Sequence, residues 1–102
     1  MAKGLDDLDR LDRIFRALAH DQRRHILVVL KARGGAMTAG EIAARFDCSW
    51  PTTSRHLRQL EEAGLVIVMQ DGREWRYSLE AERLRAVAGK WIELFGKEGS
   101  KP

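Results

Sequence analysis

Three residues, Asp47-Cys48-Ser49, are all that separate two amphipathic helical patterns in this chain, and so short a junction leaves few ways to arrange them. Upstream, Thr38-Ala39-Gly40-Glu41 has capping-box spacing: the threonine hydroxyl can accept the Glu41 amide proton while the glutamate side chain reaches back. The short helix begun there carries Ile42, Ala43 and Phe46 as its apolar side. Downstream, Ser49 reads as an N-cap, and Pro51 falls in the first turn of the next helix, where its missing N–H costs nothing. That second helix places Thr53, Leu57 and Leu60 on one side and stops at Gly64.

The flanking segments have their own periods. Leu5, Leu8, Leu11, Phe15 and Leu18 recur at steps of three or four, with the acids early, which predicts an amphipathic helix over residues 5–18. A further helix runs from about Asp21 to Arg33, with Ile26, Leu27 and Leu30 inward, and Gly34-Gly35 ends it. Past Gly64, Leu65–Met69 is a short β-branched run and Glu74–Ser78 alternates polar with aromatic residues. The Asp71-Gly72 pair between them is a strong hairpin signal. A last helix over residues 80–96 bears a wide apolar stripe of Leu84, Val87, Ala88, Trp91, Leu94 and Phe95.

Helix, helix, short helix, tight turn, helix, hairpin, helix is the order of a winged helix-turn-helix. The expected fold is mainly α, about five helices with a two-stranded wing, in a single domain over 1–102 whose ordered core spans about 5–96. In such a pair the second helix enters the major groove of double-stranded DNA by its N-terminal residues, and the wing reaches an adjacent groove.

Charge supports this through its distribution and not its sum. The 102 residues carry a net charge of only +3. Residues 45–76 balance the arginines at 45, 55, 58, 73 and 76 against the acids at 47, 61, 62, 71 and 74. Residues 49–60, however, hold Arg55, His56 and Arg58 with no carboxylate, a local anion-facing stretch. With Thr53, Leu57 and Leu60 turned inward, Trp50, Thr52, Ser54, Arg55 and Arg58 are left outward. Arg55 is the candidate for a bidentate guanine contact, and Ser49, Thr52 and Ser54 can bond base edges or phosphate. Arg58 and Gln59 lie deeper and suit backbone phosphates, and Arg73, after the wing glycine, suits a minor groove or a phosphate. His56 is expected to hydrogen-bond at the helix edge, and Arg23 and Arg24 either meet phosphate or form salt bridges.

Residue by residue, Leu18-Ala-His-Asp-Gln-Arg-Arg-His-Ile-Leu27, Glu41-Ile-Ala, Ser49–Leu65 and Gly72-Arg-Glu-Trp-Arg-Tyr77 resemble the ArsR/SmtB family of bacterial regulators over roughly residues 11–95. The resemblance implies a dimeric winged-helix repressor joined through its first and last helices. The chain departs from the family in two places. Many relatives have Asp-Pro-Thr where His20-Asp21-Gln22 stands, and Trp50 is bulky for the start of a recognition helix. Neither of two family metal-ligand sets is present. The first DNA-binding helix reads Glu41-Ile-Ala-Ala-Arg-Phe46 in place of a Cys-x-Cys pair, and residues 79–102 lack the His of the last-helix set. No metal or other cofactor is therefore expected; a site from His20, His25 and a carboxylate is the alternative.

Cys48 is the sole cysteine, so no intrachain disulfide can form. It is either a small residue filling the turn or a thiol activated by the adjacent helix N-terminus. No apolar run approaches the ~20 residues of a membrane span, and the start is too acidic for a signal peptide, so the expected location is the cytoplasm. The surplus apolar residues on the end helices, Leu5, Leu8 and Leu11 with Val87, Trp91, Leu94 and Phe95, point to a homodimer, and hence to an inverted-repeat operator. A winged helix that binds protein is the rival reading. No nucleophile triad, carboxylate pair or phosphate-cradling loop suggests an enzyme. The sequence names neither effector nor operator.

Overall fold

The computed structural model describes residues 3–96, with side chains from Asp7 onward. Helix α1 (Lys3–Leu18) is followed by α2 (Asp21–Ala32), a short strand β1 (Ala36–Thr38), α3 (Ala39–Arg45) and α4 (Trp50–Glu62). Strands β2 (Val66–Asp71) and β3 (Glu74–Leu79) come next. Then α5 (Ala81–Leu84) passes through a π-helical turn (Arg85–Gly89) into α6 (Lys90–Glu93).

Local chemistry accounts for where these elements start and stop. The capping box is complete: Glu41 N–H donates to Thr38 Oγ1 at 3.1 Å, and Thr38 N–H donates to Glu41 Oε1 at 2.9 Å. The Ser49 hydroxyl accepts from Thr52 N–H at 3.4 Å and so caps α4. At the other end of α4, Leu65 N–H bonds the Leu60 carbonyl and Gly64 N–H the Glu61 carbonyl, which is a Schellman ending. That ending needs a left-handed residue, and Gly64 supplies it at φ 78°, a conformation costly for any residue with a Cβ. The same pair of bonds, Gly35 N–H to Leu30 and Gly34 N–H to Lys31, closes α2.

The wing hairpin pairs Asp71 with Glu74, so the loop is only Gly72-Arg73. Gly72 has φ 66° and no non-glycine residue described has positive φ, which is the pattern of a type II′ turn with glycine first. Beyond the expected two strands, β1 pairs antiparallel with β3 through Ala36–Ser78, Met37–Tyr77 and Thr38–Arg76. The sheet is thus three-stranded in the order β1-β3-β2. Thr38 therefore serves twice, as the last residue of a strand and as a helix cap.

One core holds these pieces together. Ile14 and Ala17 of α1, Ile26 and Leu30 of α2, Ile42, Leu57, Leu60 and Leu65 are all buried in it, and Met37 and Val66 bring the sheet onto it. Phe15 of α1 meets Trp91 edge-to-face at 5.3 Å, which fixes the last helix across the first.

Candidate nucleic-acid interface

The inward row of α4 is as the period demands: Thr53, Leu57 and Leu60 are buried. That burial aims the opposite face at solvent. Trp50, Arg55 and Arg58 are exposed there, with Thr52 and Ser54 half-buried at its margin. Ser49 is exposed, but its hydroxyl is committed to the cap and also donates to Thr52 Oγ1 at 3.2 Å. Both hydroxyls are thus held at the start of the helix, where the first-turn amides point outward. No acidic residue occupies that turn, so no carboxylate of the helix's own first turn neutralises the positive end of its dipole.

The guanidinium groups of this face are free to take a ligand. Among the described residues, Arg55, Arg58 and Arg73 make no salt bridge, whereas Arg76 pairs with Asp71 across the wing at 3.4 Å. Arg73 sits exposed at the wing tip. Next to it, Trp75 is half exposed on β3, a large aromatic at the tip that the strand alternation marks only as part of a hairpin.

Arg23 and Arg24 form no salt bridges among the described residues. Arg24 Nη1 donates to the Leu18 carbonyl at 2.7 Å and Arg23 Nη1 to the Arg16 carbonyl at 3.3 Å, so both arginines cap the end of α1. Arg23 Nε also donates to His56 Nδ1 at 3.1 Å, the helix-edge hydrogen bond expected of that histidine. Cys48 is half-buried in the turn, with Gln22 Nε2 donating to its Sγ at 2.7 Å. His20 packs against His56 at 5.3 Å and His25 against Phe46 at 5.0 Å, so the two histidines face different partners. No group of three or more metal-type ligands occurs among the described residues.

The end helices leave apolar surface uncovered. A groove of about 530 Å³ runs between α1 and the last helix, lined by Leu8, Leu11, Val87, Trp91 and Leu94. Leu8 is 57% exposed, Trp91 40%, Leu94 68% and Phe95 67%. Two members of the expected interface are largely spent inside the chain: Leu11 is 8% exposed within the core, and Val87 packs on it half-buried. Leu5 belongs to α1, but its side chain lies outside those described. No helix among the described residues is long and apolar enough to cross a membrane.

Comparison with known proteins agrees with this geometry. A family described as a helix-turn-helix domain matches residues 13–68. The transcriptional repressor SdpR of Bacillus subtilis is 39% identical over 87 residues, covering 85% of this chain and 94% of that protein. The regulator CmtR of Mycobacterium tuberculosis is 34% identical over 84 residues, 82% of this chain and 70% of that one. Among solved structures, an ArsR family transcriptional regulator superposes with a TM-score of 0.75 at 32% identity, over 92% of this chain and 95% of that one. The homodimeric winged helix-turn-helix DNA-binding domain of a possible ArsR-family regulator from Mycobacterium bovis shares the fold. Its TM-score is 0.73 at 24% identity, over 100% of this chain and 94% of that one.

Proposed function

The chain belongs to the ArsR family of DNA-binding transcriptional regulators, and from that premise we propose that it is a homodimeric repressor of an inverted-repeat operator. In this reading each copy lays the exposed face of α4 in a major groove and the Arg73 wing tip against the neighbouring backbone or minor groove. The observation that carries it is the stretch Ser49–Leu60, which holds no carboxylate, with Arg55 and Arg58 exposed and in no salt bridge among the described residues, beside a serine-capped helix start with no acid in its first turn. Arg55 reads a base, while Arg58 and Arg73 hold phosphates.

The apolar groove of α1 and the last helix is the dimer seam, since a second copy covers Leu8, Leu94 and Phe95 with their own counterparts. SdpR is a transcriptional repressor, and a winged-helix domain of this size represses most simply by occupying promoter DNA. It acts in the cytoplasm, where a bacterial chromosome lies. Metal sensing through either of the two ligand sets considered above does not fit the residues present: α3 has no thiol, and residues 79–102 contain neither His nor Cys.

Selection from randomised duplexes tests the proposal. The expected product is an inverted repeat whose affinity falls steeply with rising salt, as release of counterions from phosphates demands. Arg55→Ala is expected to lose about 1–3 kcal/mol on the selected duplex and to relax preference at one base position. Failure to enrich any duplex would refute DNA binding and leave α4 as a protein-docking face.

A further inference from the structure

The N-terminal end of α2 ties together two elements with different tasks. Arg23 reaches back to the Arg16 carbonyl of α1, the helix that lines the apolar groove, and forward to His56 of α4. The two bonds leave one guanidinium spanning both helices. Its hold on α4 depends on an acceptor lone pair at His56 Nδ1, because a guanidinium can only donate. A protonated imidazole has two N–H donors and no acceptor, so it cannot take this bond.

We propose that Arg23 and His56 form a proton-sensitive bracket that positions α4 against α1, so that sequence reading by α4 requires His56 to be unprotonated. Both are positioning residues and neither has to touch DNA. The surroundings are built for the neutral ring. His56 is half-buried against the start of α2, with the His20 ring beside it at 5.3 Å. The charged and titratable groups that face it are Arg23 and Asp21 of α2, His20 before α2, and Arg55 of its own helix. Burial pushes the imidazole below its ordinary 6.5, and the Arg23, His20 and Arg55 charges push the same way against the weaker pull of Asp21. At neutral pH the bracket is closed. The ring stays neutral at 6.5, and only as the pH falls below that, through the lowered native value, does a proton on Nδ1 set a cation against Arg23 and release it.

Acidification has an opposing consequence: one more positive charge near DNA strengthens attraction to any phosphate backbone. The discriminating quantity is therefore the ratio of affinity for the selected duplex to affinity for a scrambled duplex of equal length. Added charge raises both affinities, whereas a loosened α4 lowers only the first. The experiment measures that ratio at constant salt between about pH 5 and 8 for the wild type, His56→Gln and His56→Leu. The wild-type ratio is expected to fall at least about fivefold across the acidic half, the low end of coupling between sites. His56→Gln keeps an acceptor for Arg23 and does not titrate, so its ratio stays high with the His56-dependent fall removed. His56→Leu has no acceptor and is low throughout.

A wild-type ratio independent of pH overturns the bracket, as does an unchanged pH profile in His56→Gln. Imidazole nitrogen NMR gives a readout that needs no DNA and no variant. Nδ1 of His56 is expected to be the unprotonated nitrogen at neutral pH, and a proton there overturns the proposal. The inference rests on DNA binding by α4. If no duplex is enriched, that reading fails first, whereas an enriched duplex with a flat ratio sinks the bracket alone.

Discussion

Thr53→Val is expected to stabilise the protein by about 1 kcal/mol while leaving DNA binding intact, because it removes a buried hydroxyl without a partner. Thr53 is 2% exposed on the inward row of α4, between Ser49 and Leu57, and its Oγ1 has no hydrogen-bond partner among the described residues. A buried unsatisfied hydroxyl costs about 1–3 kcal/mol. Valine is β-branched like threonine and differs little from it in helix propensity, so little of the gain is returned as backbone or rotamer strain. For a domain of this size about 1 kcal/mol corresponds to a rise of about 4–8 °C in Tm.

Urea and thermal unfolding at one fixed protomer concentration measure the change, since dimer formation makes both depend on concentration. Thr52→Val supplies the control. Its hydroxyl accepts from Ser49 at 3.2 Å at the half-buried margin of the helix, so no gain is expected there. A loss of more than about 0.5 kcal/mol in Thr53→Val refutes the reasoning, because the hydroxyl must then be bonded and α4 seated differently.

Leu94→Glu and Leu8→Glu are expected to convert a dimer into folded monomers, read by sedimentation and circular dichroism together, with operator affinity falling in parallel. Both residues are exposed and neither belongs to the monomer core, so a dimer of unchanged mass in both variants would falsify the assigned seam. Trp91→Glu is a poorer probe, since Trp91 also packs on Phe15 within the chain. Glu41 carries a pH dependence of its own: the Thr38 N–H, and then Arg33, hold its carboxyl below the ordinary 4.5 despite some desolvation. The stabilisation is complete above pH 4.5 and is lost as the pH falls through that value towards the lower native one. Denaturation from about pH 3 to 6 is thus expected to show a steeper acid decline in the wild type than in Glu41→Gln, and equal slopes would disprove the assignment.

The features of this fold that are legible in the sequence are those that depend on near neighbours. The capping box, the Ser49 cap, the glycine endings and the inward row of α4 each involve residues at most a turn or two apart, and each is present in the structure. Strand β1 leaves no such trace, because Ala36-Met37-Thr38 is too short to show an alternation. Its existence depends on β3, some forty positions away, presenting a free edge. Arg23 and Arg24 are legible as cations near a helix start. Their targets, the carbonyls at the end of α1 and the His56 ring, are set by how α1 and α4 pack around α2, which no local pattern encodes.

The end helices show the same limit in a form that matters for function. A stripe recurring every three or four residues says that one face of a helix is covered; it does not say by what. Along α1 the answer changes with position. Leu11, Ile14 and Ala17 are covered by the chain's own core, whereas Leu8, one turn earlier, stands in solvent. The last helix changes in the same sense, from buried Ala88 to exposed Leu94 and Phe95. The π-helical turn between Arg85 and Gly89 adds a residue to one turn and so rotates the remainder of the helix, which is why one continuous stripe in sequence need not remain one face in space. Leu8 and Leu94 nonetheless line a single groove, so the uncovered parts of both helices meet at one place. A domain whose core consumed both stripes would have no reason to pair. This one leaves its apolar surplus around a groove that α1 helps to line, and α1 is the helix that Arg23 connects to α4, which puts one wall of the proposed seam and the proposed reading head on the same mechanical path.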